Sequence, residues 1–127
     1  MTVTVLIVDD SKLARIVAGK ALAELRPDWH KVEASSAADA LALVSDQQVD
    51  VALIDFNMVE KDGLQLAEEL RTMRPELPIA IITANIQDEV IARARAVGAA
   101  FVPKPVTAEG LQGFLDGAAL RLRSARA

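Results

Sequence analysis

The chain has 127 residues, 52% of them apolar, with 14 basic side chains against 18 acidic ones and a formal net charge of −4. That is the length of one domain, enough to bury a core without staples, and the absence of cysteine excludes a disulfide framework. The acidic balance argues against direct nucleic-acid binding, which needs clustered Lys and Arg, and no apolar stretch approaches a membrane span.

The opening Met1-Thr2-Val3 enters a strand-like run with no basic n-region and no long h-region, so the expectation is a cytoplasmic protein without membrane contact. Val3 to Val8 reads as a buried strand, followed by a helix over Lys12 to Leu25 with the stripe Val17, Ala18, Ala21, Leu22 and Leu25; Pro27 lies just past its end. A weaker strand is expected at Lys31 to Ala34. Ser36 with Asp39 three residues on gives a capping-box pattern for a helix carrying Ala37, Ala40, Leu41 and Val44. Val51 to Ile54 is a third apolar run. The turn-rich segment Phe56 to Gly63 leads to a helix through Leu66, Ala67 and Leu70 to Met73. Ile79 to Ile82 is the fourth run, and a helix from Gln87 to Val97 follows, closed by Gly98. Ala99 to Pro103 is the fifth, and the last helix, from Ala108, holds Leu111, Phe114, Leu115, Ala118 and Leu122 on one side despite Gly110, Gly113 and Gly117.

Apolar strands alternating with amphipathic helices predict an α/β fold: a doubly wound, five-stranded parallel sheet with five helices, of flavodoxin-like order. In such sheets the carboxyl ends of the strands share one edge, and ligands bind there. Polar residues stand at those ends: Asp9 and Asp10 after the first strand, Asp55 after the third, Thr83 after the fourth and Lys104 after the fifth. Three carboxylates, a hydroxyl and an ammonium in one crevice are the equipment of a phosphoryl-binding site. Taken singly, each residue has a plainer use: Asp9, Asp10 and Ser11 as helix caps, Asp55 as a turn residue, Thr83 as a cap and Lys104 as a solvated charge.

The segments Val8-Asp9-Asp10-Ser11, Asp55-Phe56-Asn57-Met58-Val59-Glu60-Lys61-Asp62-Gly63, Ile82-Thr83-Ala84 and Val102-Pro103-Lys104-Pro105 together resemble the receiver domain of bacterial two-component response regulators, chemotaxis-regulator-like proteins included. The resemblance spans residues 1–123 and leaves 124–127 as a tail. It implies that Asp55 is the phosphoacceptor, with Thr83 and Lys104 contacting the phosphoryl oxygens. Mg²⁺ would be held by Asp10, Asp55 and the Asn57 carbonyl, with Asp9 acting through a bound water. It also implies that Thr83 and Phe101 form the switch and that the Lys104–Pro105 peptide bond is cis. The partners implied are a histidine kinase or histidine phosphotransfer protein as donor, and a target engaged by the fourth helix, fifth strand and fifth helix.

The chemistry leads the same way. Three carboxylates in one crevice repel one another and an incoming phosphate, so a cation is required; oxygen donors suit Mg²⁺, whereas zinc is disfavoured with no cysteine and one histidine. Val59 departs from the family's usual proline, a change expected to alter loop rigidity and remove no ligand. Asn57 and Asn85 occupy positions that tune phosphoryl lifetime in the family. Asp62-Gly63 reads as a turn and helix start; Trp29 and His30 read as packing far from Asp55. Arg121, Arg123 and Arg126 complement the last helix's C-terminus.

Two rivals stand beside this reading. One is the receiver portion of a longer regulator with an output domain. The other is a phosphohydrolase with an aspartyl-phosphate intermediate, which expects its second carboxylate two residues after the nucleophile; Asp9-Asp10-Ser11-Lys12 lacks that spacing. The expectation is therefore a signalling phosphoacceptor, not an enzyme acting on other molecules.

Overall fold

A computed structural model describes residues 3–58, 61–84 and 87–126. Val59 and Asn85 lie outside the described residues, as does the side chain of Arg126. In chain order the elements are β1 (Thr4–Val8), α1 (Lys12–Leu25), β2 (His30–Ala34), α2 (Ala37–Asp46), β3 (Val51–Asp55), α3 (Gly63–Met73), β4 (Ile79–Thr83), α4 (Asp88–Ala96), β5 (Ala100–Pro103) and α5 (Ala108–Arg126). The strands form one parallel sheet in the order β2-β1-β3-β4-β5. The order reverses between β1 and β3, which opens a crevice at their carboxyl ends.

The pleat sorts each strand's side chains onto two faces. Leu6, Val8, Ala52, Ile54, Ile79 and Ile81 pack with α2, α3 and α4. Val5, Ile7, Val51, Leu53, Ala80, Ile82 and Val102 pack with α1 and α5. β3 and β4 are buried along their whole length, which is why they read as unbroken apolar runs. Full burial of each Leu or Ile contributes about 1.5–3 kcal/mol, so these central strands hold the sheet edge in place.

The caps are side chains read from the sequence, with one exchange. Ser11 caps α1 by accepting from the Ala14 amide, so Asp9 and Asp10 are left for other work. Ser36 caps α2, but Asp39 accepts from the Ser35 hydroxyl at 3.2 Å, and the reciprocal capping box is found on α3 instead, between Asp62 and Gln65. The Asp side chain is one methylene shorter than Glu or Gln, and the box needs that reach. Gly98 takes φ +69° after α4, the left-handed conformation that favours glycine.

β2 starts at His30, one residue before the sequence pattern suggested, because the His30 amide bonds the Val3 carbonyl. Val17, expected in the core stripe of α1, is 39% exposed; the stripe is centred on Ala18, Ala21 and Leu22. α5 runs on through Ser124 and into Arg126, so helix occupies most of the segment read as a tail. Among the described residues no helix is long and apolar enough to cross a membrane.

Candidate functional site

Asp9 follows β1, Asp55 ends β3, Thr83 ends β4, and Lys104 follows β5, so strand pairing alone gathers them at one edge. Asp55 is 2% exposed, Asp9 and Thr83 are buried, and Asp10 faces solvent. Asp9, Asp10 and Asp55 each present a carboxylate oxygen, and these atoms lie within 4.8 Å of one another. The Lys104 ammonium stands 2.6 Å from Asp55 Oδ1. This ion pair aside, the buried oxygen has no hydrogen-bond partner among the described residues. It can accept a further donor or a cation.

The charges are tuned by this crowding. Burial lifts the Asp9 carboxyl above its ordinary value, with Asp55 and Asp10 pushing the same way against the Ser11 amide and Lys104. Burial works to lower the Lys104 ammonium, but its contact with Asp55 and the nearby Asp9 and Asp10 outweigh that, and it is held above its usual range. Three hard oxygen donors, one of them from the buried Asp55, fit a divalent cation, and no sulfur or imidazole ligand lies among them.

Two further features sharpen the site, and neither was legible from residue types. Gly63 opens α3 directly beneath Asp55: a Cβ built on it would lie 2.3 Å from the Asp55 carbonyl oxygen and 3.0 Å from the Phe56 Cα. The only sequence signal was an Asp-Gly pair at a helix start. The other is a groove of about 250 Å³ between α1 and the loop after β5, lined in part by Leu13, Val17, Pro105 and Val106 together with Asp9 and Lys104. Leu13 is 70% exposed beside it.

At the other end of the crevice, β4 and β5 pair with Thr83 opposite Pro103 and Ile81 opposite Phe101. Thr83 and Phe101 therefore share a face, one pleat repeat apart, and Phe101 is half-buried. Lys104–Pro105 is cis. Asn57 lies exposed on the loop after β3. Trp29 and His30 sit at the opposite, amino-terminal edge of the sheet, where Arg26 stacks over the indole at 5.1 Å.

Comparison with known proteins decides the family. The response regulator receiver domain matches residues 5–116. The chain belongs to the response regulator receiver family. It is 32% identical over 115 residues to the transcriptional regulatory protein GlrR of Escherichia coli (strain K12), covering 89% of this chain and 25% of that protein. It is 32% identical over 124 residues to the sensor histidine kinase RcsC of Salmonella typhi, covering 97% of this chain and 13% of that protein. The chain thus spans a quarter or less of the length of these two relatives. The fold superposes on a CheY-like receiver domain protein from Methanospirillum hungatei JF-1 with a TM-score of 0.87, at 21% identity, covering 98% of this chain and 99% of that one. Receiver domains are signalling domains that work with histidine kinases and downstream effectors, not enzymes in the ordinary sense.

Proposed function

We propose that this receiver takes a phosphoryl group onto Asp55 from the phosphohistidine of a histidine kinase or phosphotransfer protein, with Mg²⁺, and thereby changes its affinity for a downstream protein. The observation that carries the proposal is the buried Asp55 carboxylate, which is flanked by Asp9 and Asp10 and held by the Lys104 ammonium at 2.6 Å.

In the transfer, the carboxylate of Asp55 attacks phosphorus, the bond from phosphorus to the donor imidazole breaks, and the imidazole leaves with its electron pair. Asp10, Asp55 and the Asn57 carbonyl would hold Mg²⁺, with Asp9 engaging it through water, and the ion would supply positive charge against the transferring oxygens. Lys104 moves from its contact with Asp55 to a phosphoryl oxygen, so its positive charge stays in the crevice and stabilises the transition state. Thr83 donates its hydroxyl to another oxygen of the group. The apolar groove beside Asp9 and Lys104 offers the donor protein a surface adjoining the reacting carboxylate.

The readout follows from the shared face of Thr83 and Phe101. A hydroxyl drawn toward the phosphoryl group vacates space that Phe101 fills, and the surface of α4, β5 and α5 changes shape for its target. We assign the receiver to residues 1–123, with α5 continuing past that boundary to Arg126.

The test is intact-protein mass spectrometry after incubation with a small-molecule phosphodonor. One phosphoryl adduct that needs Mg²⁺, is lost with a chelator and is absent from Asp55→Asn supports the proposal. Labelling that persists in Asp55→Asn moves the acceptor elsewhere, and turnover of free phosphate esters would favour a phosphohydrolase.

A further inference from the structure

Asp9 and Asp10 are neighbours in sequence, and the peptide plane between them decides where Asp10 points. That plane is tied down by a side chain from the next element. Arg15, one turn into α1, donates from Nη1 to the Asp9 carbonyl oxygen at 2.7 Å. Its Nε donates to Glu33 Oε1 at 2.9 Å, and Glu33 is in turn approached on Oε2 by Lys31 at 3.3 Å. Glu33 stands on β2 opposite Ile7 of β1, two residues before Asp9. The Arg15 side chain is only 15% exposed, so this is a packed strut and not a solvated arginine.

The rest of Asp9 is fixed as well. Its amide donates to the Ala34 carbonyl at 3.1 Å, and its Oδ1 accepts from the Ser11 amide at 2.9 Å. The Asp9 carbonyl, which is the oxygen of the Asp9–Asp10 peptide, has its hydrogen bond from Arg15. Asp10 itself is exposed, and no side-chain hydrogen bond to it is seen among the described residues. The orientation of its Cα therefore depends on the plane that Arg15 grips.

We infer that Arg15, aligned by Glu33, is a positioning residue for the acid cluster: by holding the Asp9–Asp10 peptide plane it aims Asp10 into the crevice beside Asp55. This inference rests on the proposed reading of the crevice as a Mg²⁺ site. A guanidinium is suited to the task because its rigid fork serves the carbonyl and the carboxylate at once; a lysine ammonium lacks that fork. Groups that orient metal ligands are typically worth 10–100-fold in affinity.

The sign of the effect separates this role from simple electrostatics. Removing a positive charge near a divalent cation strengthens its binding by Coulomb's law. Loss of a brace weakens it. Mg²⁺ titration by calorimetry, at fixed salt, should therefore give about tenfold weaker binding in Arg15→Met, which keeps the apolar stem, and nearly as weak in Arg15→Lys. Glu33→Gln should weaken binding by a smaller factor, and add nothing in the Arg15→Met background, since Glu33 acts through Arg15. Urea unfolding of the same variants identifies any that fail to fold, and Arg15→Lys keeps the charge if Arg15→Met does not fold. Amide hydrogen exchange at Asp10 and Ser11, measured without metal, should speed up in the Arg15 variants.

Unchanged or tighter Mg²⁺ binding in folded Arg15→Met and Arg15→Lys overturns the positioning role while leaving the metal site intact. No Mg²⁺ binding by the wild-type protein overturns the reading of the crevice itself, and the inference with it.

Discussion

Gly63→Ala is the smallest change that should reach Asp55 without touching a charged group. The added methyl would sit 2.3 Å from the Asp55 carbonyl oxygen, where real Cβ atoms essentially never come closer than 3.0 Å, so α3 and the end of β3 must part by at least about 0.7 Å. The obstacle is backbone, which cannot rotate away. Overpacking of this kind costs about 1–3 kcal/mol. For a domain of this length, about 4 °C of Tm accompanies each kcal/mol, so Tm should fall by roughly 4–12 °C. As the proposed acceptor, an Asp55 carboxylate displaced by this much would lose its aligned approach to phosphorus, and phosphorylation should slow by as much as about 10²-fold. The assay is the initial rate of adduct formation from a small-molecule donor, by mass spectrometry, beside thermal unfolding. Gly113→Ala is the control: its Cβ would meet nothing within 4 Å in the middle of α5, so it should raise stability by about 0.5–1 kcal/mol. A Gly63→Ala protein with wild-type Tm and wild-type labelling would refute the steric argument outright.

Four other outcomes are expected. Mg²⁺ at about a hundred times its Kd should stabilise the fold by about 2.7 kcal/mol, roughly 10 °C in Tm, and Asp10→Asn should shrink that shift; a flat melting curve series would remove the metal site. Because the folded Asp9 carboxyl lies above its ordinary 3.8, ionising it opposes folding, so the metal-free protein gains stability as pH falls through that raised value and loses it as pH rises. Asp9→Asn should therefore be the more stable protein at neutral pH without metal, with the gap closing toward pH 4. Glu33 runs the other way: the Arg15 bond, chiefly, holds it below 4.5, its contribution is present above that pH and is lost as pH falls through the lowered value, and Glu33→Gln should abolish this slope in urea midpoints. Arg71 donates to the carbonyls of Val97, Pro75, Leu77 and Gly98 at 3.0, 3.0, 2.6 and 3.2 Å, clamping α3 to both ends of the α4–β5 and α3–β4 turns. Arg71→Ala should cost about 2 kcal/mol or more in urea unfolding, and an unchanged midpoint would show that water replaces the clamp without loss.

The crevice was legible because its members need no tertiary knowledge beyond the sheet. Once Val3 to Val8, Val51 to Ile54, Ile79 to Ile82 and Ala99 to Pro103 are parallel strands, Asp9, Asp55, Thr83 and Lys104 must share an edge. What stayed hidden depends on how elements approach one another. Gly63 looks like any helix-start glycine until α3 is seen to press on the Asp55 carbonyl. The Arg15–Glu33 strut joins α1 to an edge strand whose exposed, mostly polar residues gave only a faint pattern. Val17 has the right spacing for the core but lies where the loop after β5 leaves a groove in place of a packing partner. Asp50 is likewise a buried carboxylate with no motif around it; it accepts from the Thr4 amide at 2.9 Å and fixes the far end of β1.

The pleat adds a consequence for signalling. Asp55 pairs with Ile82, and Lys104 continues the alternation of Val102, so both belong by register to the sheet face covered by α1 and α5. Thr83 pairs with Pro103 and follows Ile81, which places it on the face covered by α2, α3 and α4. In the proposed reaction a phosphoryl group on Asp55 would meet Lys104 from its own side of the sheet and Thr83 only across the strand ends. Loss of the Lys104 ammonium should then strike transfer chemistry first, whereas Thr83→Ala should leave labelling comparatively intact and impair the response of α4 and β5. Comparing adduct formation with amide exchange in Ala100 to Pro103, before and after phosphorylation, separates the two. If Thr83→Ala slowed labelling as much as loss of the Lys104 ammonium does, while the fraction that was labelled still changed exchange in β5, the division of work between the two faces would be wrong.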